Sequence, residues 1–124
     1  MKKSVAFALA LMAAPVAAFA APEKYELDSS HSQILFEYNH LGFSTTYGMF
    51  SGFGGEIMFD QEDPANSSVN VSFPVRSMLT GWEERFQHFM ADDFFGADED
   101  EMVTFTSKSI EVTGDNTALI TGDL

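Results

Sequence analysis

Residues 68–75 read Ser-Val-Asn-Val-Ser-Phe-Pro-Val. Val69, Val71, Phe73 and Val75 alternate with Ser68, Asn70, Ser72 and Pro74. A strict period of two is the signature of a strand with one apolar and one polar face. Pro74 cannot donate to a ladder, so its nitrogen belongs at an edge or a bulge. This stretch sets the reading for its surroundings, because the same rhythm recurs on both sides of it.

Upstream, Tyr25-Glu26-Leu27-Asp28 reads as a short first strand. Ile34, Phe36 and Tyr38 alternate with Glu37 and Asn39 to form a second. From Met49 to Phe59 the odd positions Met49, Phe53, Ile57 and Phe59 fall on one face, and the interleaved glycines predict bends or bulges where a sheet curls. Asp60 to Asn66 is a turn. Downstream, Thr80-Gly81-Trp82-Glu83 fits a capping box. Trp82, Phe86, Phe89 and Met90 then recur at helical spacing, which predicts one short amphipathic helix from about Gly81 to Met90. Asp92 to Glu101 is an acidic loop. Strand pattern returns from Met102 to about Val112, turns over Thr113–Asn116 and resumes with Ala118, Ile120 and Leu124. Six strands and one inserted helix predict an all-β fold, an antiparallel sheet rolled toward a barrel. The strand that carries the chain to Leu124 gives the expectation of a C-terminally truncated barrel.

The start, MKKSVAFALALMAAPVAAFA, carries two lysines, an apolar run from Val5 to Val16 and a small-x-small site at Ala18-Phe19-Ala20. It reads as a secretory signal peptide over residues 1–20, leaving a domain over 21–124. The apolar run is too short for a stable membrane span, so none is expected after cleavage. The chain has 124 residues and no cysteine, so packing and hydrogen bonds alone must hold the domain. Nineteen acidic residues stand against six basic ones, and the formal charge is −13. Nucleic acid is not an expected partner, because binding phosphates requires clustered Lys and Arg.

The chemistry-bearing residues are few. Nine steps along an extended strand separate His31 from His40 by roughly 30 Å and place them on opposite faces. They do not share a metal, and no HExxH or cysteine pattern accompanies His88. Asp92 to Glu99 lacks calcium-loop spacing. Gly52-Phe53-Gly54-Gly55 is not a phosphate loop. Ser32 beside His31 on a strand points to the opposite face, and no GxSxG elbow occurs. No catalytic residue, metal or cofactor is expected. A hydrolase using histidines at a barrel mouth is the enzymatic alternative.

An ordered set of motifs then adds to this reading. Leu27-Asp28 leads to His31-Ser32, Phe36 and His40-Leu41-Gly42-Phe43-Ser44. Gly48-Met49-Phe50 and Phe53-Gly54-Gly55-Glu56-Ile57-Met58-Phe59-Asp60 follow. Then come Ser77-Met78-Leu79-Thr80, Arg85-Phe86-Gln87-His88-Phe89, Phe94-Phe95, Thr104-Phe105-Thr106-Ser107 and Thr121-Gly122-Asp123-Leu124. In order and spacing this resembles the YceI-like family of periplasmic polyisoprenoid-binding proteins. The resemblance implies a lipocalin-like barrel around a long isoprenoid chain, polyprenyl or quinone, in the periplasm, without catalysis or metal. Family members usually continue beyond the Gly-Asp-Leu motif, so the resemblance covers the N-terminal two-thirds. An unclosed barrel exposes a sheet edge, which would suit a second copy in a homodimer or another β partner.

Under this reading the interior is formed by Ile34, Phe36, Tyr38, Met49, Phe53, Ile57, Phe59, Val69, Val71, Phe73, Val75 and Phe105. His31, His40, Arg76, Arg85 and His88 are the candidates for polar contacts to a ligand head. With so few cations, a neutral head such as a quinone suits the chain better than a diphosphate.

Overall fold

A computed structural model describes residues 21–124. The signal-peptide expectation for residues 1–20 lies outside the described residues. Seven strands and one α-helix follow in chain order. They are β1 (Glu23–Glu26), β2 (Ile34–His40), β3 (Ser44–Phe50), β4 (Gly54–Phe59), β5 (Ser68–Pro74), α1 (Glu83–Met90), β6 (Met102–Gly114) and β7 (Thr117–Asp123). Every pairing is antiparallel. The all-β antiparallel class is therefore observed. β1-β4-β5-β6-β7 form a five-stranded sheet, and β2-β3 form a separate hairpin.

The barrel is not closed among the described residues. β1 and β7 are the two edges of the large sheet, and the hairpin joins the rest through a single bridge, Met49 with Leu79. That bridge is made by Leu79 N–H to Met49 O at 2.8 Å and Met49 N–H to Leu79 O at 3.1 Å.

The run from Met49 to Phe59 is two strands in two different sheets. β3 ends at Phe50, and the connection over residues 51–53 turns at Gly52, whose φ is +68°. The turn resets the alternation. Directly opposite residues share a face, and Met49 stands opposite Leu35, whereas Phe50 stands opposite Ile34. The inner face of the hairpin is thus Ile34, Phe36, Tyr38, Thr46, Gly48 and Phe50. Met49 lies on the opposite, outer face, which corrects its expected inward orientation.

The large sheet follows the sequence pattern. Opposite pairs Tyr25–Ile57, Ile57–Val69, Val71–Phe105 and Phe73–Val103 put the apolar side chains on one face. Lys24, Glu26 and Glu56 take the other face, where Lys24 Nζ lies 2.8 Å from Glu56 Oε2. Gly55, at φ +135°, admits the Asn70 carbonyl where a side chain would collide with it.

Pro74 ends β5. The chain then leaves the ladder in a single 3-10 turn over Val75–Ser77, so Val75 is not a strand residue. It is nevertheless the most buried side chain of the core, 3% exposed, and its N–H donates to Glu101 O. Phe50, Met78, Met90 and Ala97 complete that core, with Ile34, Phe36, Phe73, Phe86, Phe89 and Val103 packed against it. The core is concentrated where the end of the hairpin, the 3-10 turn and the C-terminal end of α1 meet.

α1 starts two residues later than its periodicity suggests, and the capping box does not form. Gly81, at φ +73°, turns the chain so that Trp82 becomes the N-cap, with no side-chain cap bond. The Thr80 hydroxyl instead donates to Trp82 O at 2.8 Å. Glu83 accepts from Gln87 Nε2 one turn along, at 2.6 Å. No described helix is long and apolar enough to cross a membrane.

Candidate functional site

The inner face of the hairpin and the flank of α1 enclose a groove of about 730 Å³. Each wall follows from a local pattern. β2 supplies Phe36, Tyr38 and His40 because alternate residues share a face. β3 supplies Ser44, Thr46 and Phe50 by the same rule, across the ladder. α1 and its N-cap supply Trp82, Glu84, Arg85, His88 and Phe89, and Phe94 and Phe95 close the loop side. Met78 also lines it.

Phe36 has room to lie across the hairpin because Gly48 faces it. A Cβ at position 48 would collide with the Phe36 ring. Aromatic contacts then run without interruption. Tyr38 meets Phe89 edge-on at 6.1 Å, and Phe89 meets Phe94 at 4.8 Å and Phe95 at 6.4 Å. Phe95 reaches Phe50 at 6.5 Å, and Phe50 touches Phe36 at 5.5 Å and Phe73 at 4.8 Å. Phe53 extends the path from Phe73 at 6.0 Å. The aromatic packing behind the groove wall thus runs into the core at Phe73, on the apolar face of the large sheet.

Its rim is polar but not strongly charged. Arg85 Nη1 donates to the Thr80 carbonyl at 3.1 Å, and the guanidinium stands over the Trp82 ring, 5.4 Å from its centre. His88 Nε2 lies 3.4 Å from Asp93 Oδ2, with the ring edge-on to Phe94 at 5.3 Å. His40 and Ser44 form the last pair of the β2–β3 ladder and mark the groove's end at the hairpin tip.

The structure thus brings together Phe36, Tyr38, His40, Arg85 and His88. Ile34, Phe73 and Val75 pack in the core nearby. Ile57, Phe59, Val69, Val71 and Phe105 lie on the apolar face of the large sheet, away from the groove, and Phe53 touches Phe73. Phe59 is half exposed and meets Tyr25 at 6.5 Å, whereas Val71 is buried. Met49 is on the outer face. Arg76 is elsewhere, donating to Ala97 O at 3.1 Å and stacked on Phe86.

His31 is also elsewhere, in the exposed turn before β2. Its Nδ1 stands 2.7 Å from Asp28 Oδ2 and 3.0 Å from Ser30 Oγ. A nucleophilic relay needs the serine on one ring nitrogen and the orienting acid on the other. Here both partners face the same nitrogen, so the cluster is a turn. The Ser30 hydroxyl, then His31, hold the Asp28 carboxyl below the usual aspartate range. Among the described residues no three His, Asp or Glu side chains stand close enough to hold a metal.

Reasoning from sequence missed Ser44, Thr46, Phe50, Met78, Trp82, Glu84, Phe89, Phe94 and Phe95 as groove residues. Phe50 was hidden by carrying the odd-position rule across Gly52. Phe94 and Phe95 sit in a stretch whose acidic residues dominate its reading, although two adjacent aromatics in such a loop are themselves a signal.

The sequence is similar to known proteins. A family model described as "YceI-like domain" matches residues 25–124. "Protein YceI" of Escherichia coli O17:K52:H18 is 39% identical over 127 residues, spanning 100% of this chain and 65% of that protein. A UPF0312 protein of Vibrio vulnificus (strain YJ016) is 40% identical over 126 residues, covering 100% of this chain and 67% of the relative. A UPF0312 protein of Ectopseudomonas mendocina is 36% identical, with 100% and 66% covered. The chain spans about two thirds of the length of these curated relatives. With a family match over residues 25–124 and relatives similar along its whole length, the chain belongs to the YceI-like domain family.

Proposed function

We propose that the protein is a non-catalytic binder, or carrier, of a long isoprenoid lipid in the periplasm, with the ligand's apolar chain lying in the groove between the hairpin and α1. One observation carries this reading. The groove is walled by Phe36, Tyr38, Phe50, Trp82, Phe89, Phe94 and Phe95, and its volume falls within the range of small-molecule sites. Burying ligand surface against such walls supplies about 25 cal/mol per Å², before the losses of ordering ligand and side chains.

The rim argues for the kind of head. Arg85 is already engaged by the Thr80 carbonyl and Trp82, and Glu84 stands beside it on the groove. A neutral head that accepts hydrogen bonds from His40 or His88, such as a quinone, suits these groups better than a diphosphate. Periplasmic residence rests on the first twenty residues.

Native mass spectrometry of protein recovered from a bacterial periplasm tests the proposal. The expected result is a bound species released as an isoprenoid lipid on organic extraction. Protein that is uniformly free of lipid, and stays so after incubation with polyprenyl quinone, would overturn it.

A further inference from the structure

The tip of the β2–β3 hairpin places its two largest side chains in solvent. Leu41 is 78% exposed and Phe43 is 89% exposed. The turn is tight, with Phe43 N–H donating to His40 O at 3.0 Å and Gly42 N–H donating to Asn39 Oδ1 at 2.6 Å. Both central residues have positive φ, +54° at Leu41 and +80° at Gly42. Turns of this kind favour Asn-Gly or Asp-Gly, and a leucine at the first central position is held in a conformation it disfavours. An apolar residue that is both strained and exposed gains nothing for the fold from either property. Such outliers concentrate at functional positions.

Charge shows what the tip can meet. No acidic residue stands between Glu37 and Glu56, and no Lys or Arg between Lys24 and Arg76, in a chain whose formal charge is −13. The tip is an apolar end without Asp, Glu, Lys or Arg of its own on an acidic molecule, and Glu84 and Arg85 line the groove behind it. That combination favours a neutral surface and disfavours an anionic one.

We propose that this hairpin tip docks on a zwitterionic phospholipid bilayer, with Leu41 and Phe43 inserted at the boundary between headgroups and acyl chains. Docking in this way brings the His40–Ser44 end of the groove to the membrane, because both residues line the groove and form the last ladder pair before the tip. Exchange of a lipid at that end rests on the function proposed above; the docking does not.

Flotation with phosphatidylcholine vesicles tests it, using wild type and a Leu41→Asn/Phe43→Ser double variant with the same N-terminus, read by mass spectrometry. Neither substituted residue lines the groove. Wild type is expected to float with these vesicles and to float less as phosphatidylglycerol is added. Burying even half of one large apolar side chain is worth about tenfold in affinity, so the double variant is expected to lose about tenfold or more. Leu41→Asn alone keeps the turn, which separates loss of docking from loss of fold in a parallel thermal melt. Flotation without any response of Trp82 to added quinone supports docking while contradicting the groove's function. Wild type that stays at the bottom of the gradient overturns docking. So does a double variant that floats like wild type, or a tip whose substitution only converts a lipid-free dimer to monomer.

Discussion

Phe36 and Gly48 stand directly opposite each other in the β2–β3 ladder, and the Phe36 ring occupies the space a side chain at position 48 would need. The wall of the groove therefore depends on an absent methyl group. Gly48→Ala forces Phe36 to move, and overpacking of this kind destabilises by about 1–3 kcal/mol. Urea unfolding should show a lower midpoint with an unchanged slope. Binding of quinone, read through Trp82, should weaken alongside it.

Phe89 touches Tyr38, Phe94 and Phe95. Phe89→Ala removes all three contacts from the helix side of the groove. A fully buried Phe→Ala change costs about 3–5 kcal/mol, and Phe89 is only partly buried, so about 2–3 kcal/mol is expected. Denaturant unfolding measures it. A loss below about half a kcal/mol would show that the helix flank is not packed as described.

Leu41→Asn has the opposite sign for stability. Asparagine visits the left-handed region that leucine avoids at about 1–2 kcal/mol, and Asn-Gly is the favoured pair for this turn. The variant should gain about 1 kcal/mol, which raises the melting temperature of a domain this size by about 4–8 °C. Calorimetry that shows a lower melting temperature would contradict the assigned turn.

The turn at Asp28 supplies a pH test. Its carboxyl is held below the usual aspartate range, chiefly by the Ser30 hydroxyl and then by His31. The folded state thus favours the carboxylate. Its contribution is present above the ordinary aspartate pKa of about 3.9 and is lost as pH falls through the lower folded value. Ser30→Ala should move the Asp28 midpoint, followed by carboxyl NMR shifts, upward toward the ordinary value. An unmoved midpoint would remove the hydroxyl as its cause.

Much of the fold is legible in the sequence where one rule acts alone. Val69, Val71 and Phe73 keep strict alternation, and their strand and its two faces follow from it. The failures lie where a single residue resets the count. Gly52, at positive φ, separates β3 from β4, so alternation carried across it picks Met49 where the core holds Phe50. Gly81 does the same to α1, moving the N-cap from Thr80 to Trp82. Val75 is buried as expected, but in a 3-10 turn, because Pro74 ends the ladder before it. The groove was harder still. It joins Tyr38, Phe89 and Phe94 from three elements, and no local period relates residues brought together only by packing.

The central claim, that the groove holds an apolar chain, is tested most directly by Trp82. It is the chain's only tryptophan and it lines the groove. Titration with a polyprenyl quinone, a strong quencher at contact distance, should give saturable loss of fluorescence at one ligand per protein, weakened in Gly48→Ala. Fluorescence that falls only linearly, as it does by collision, and equally in both proteins, would contradict the account.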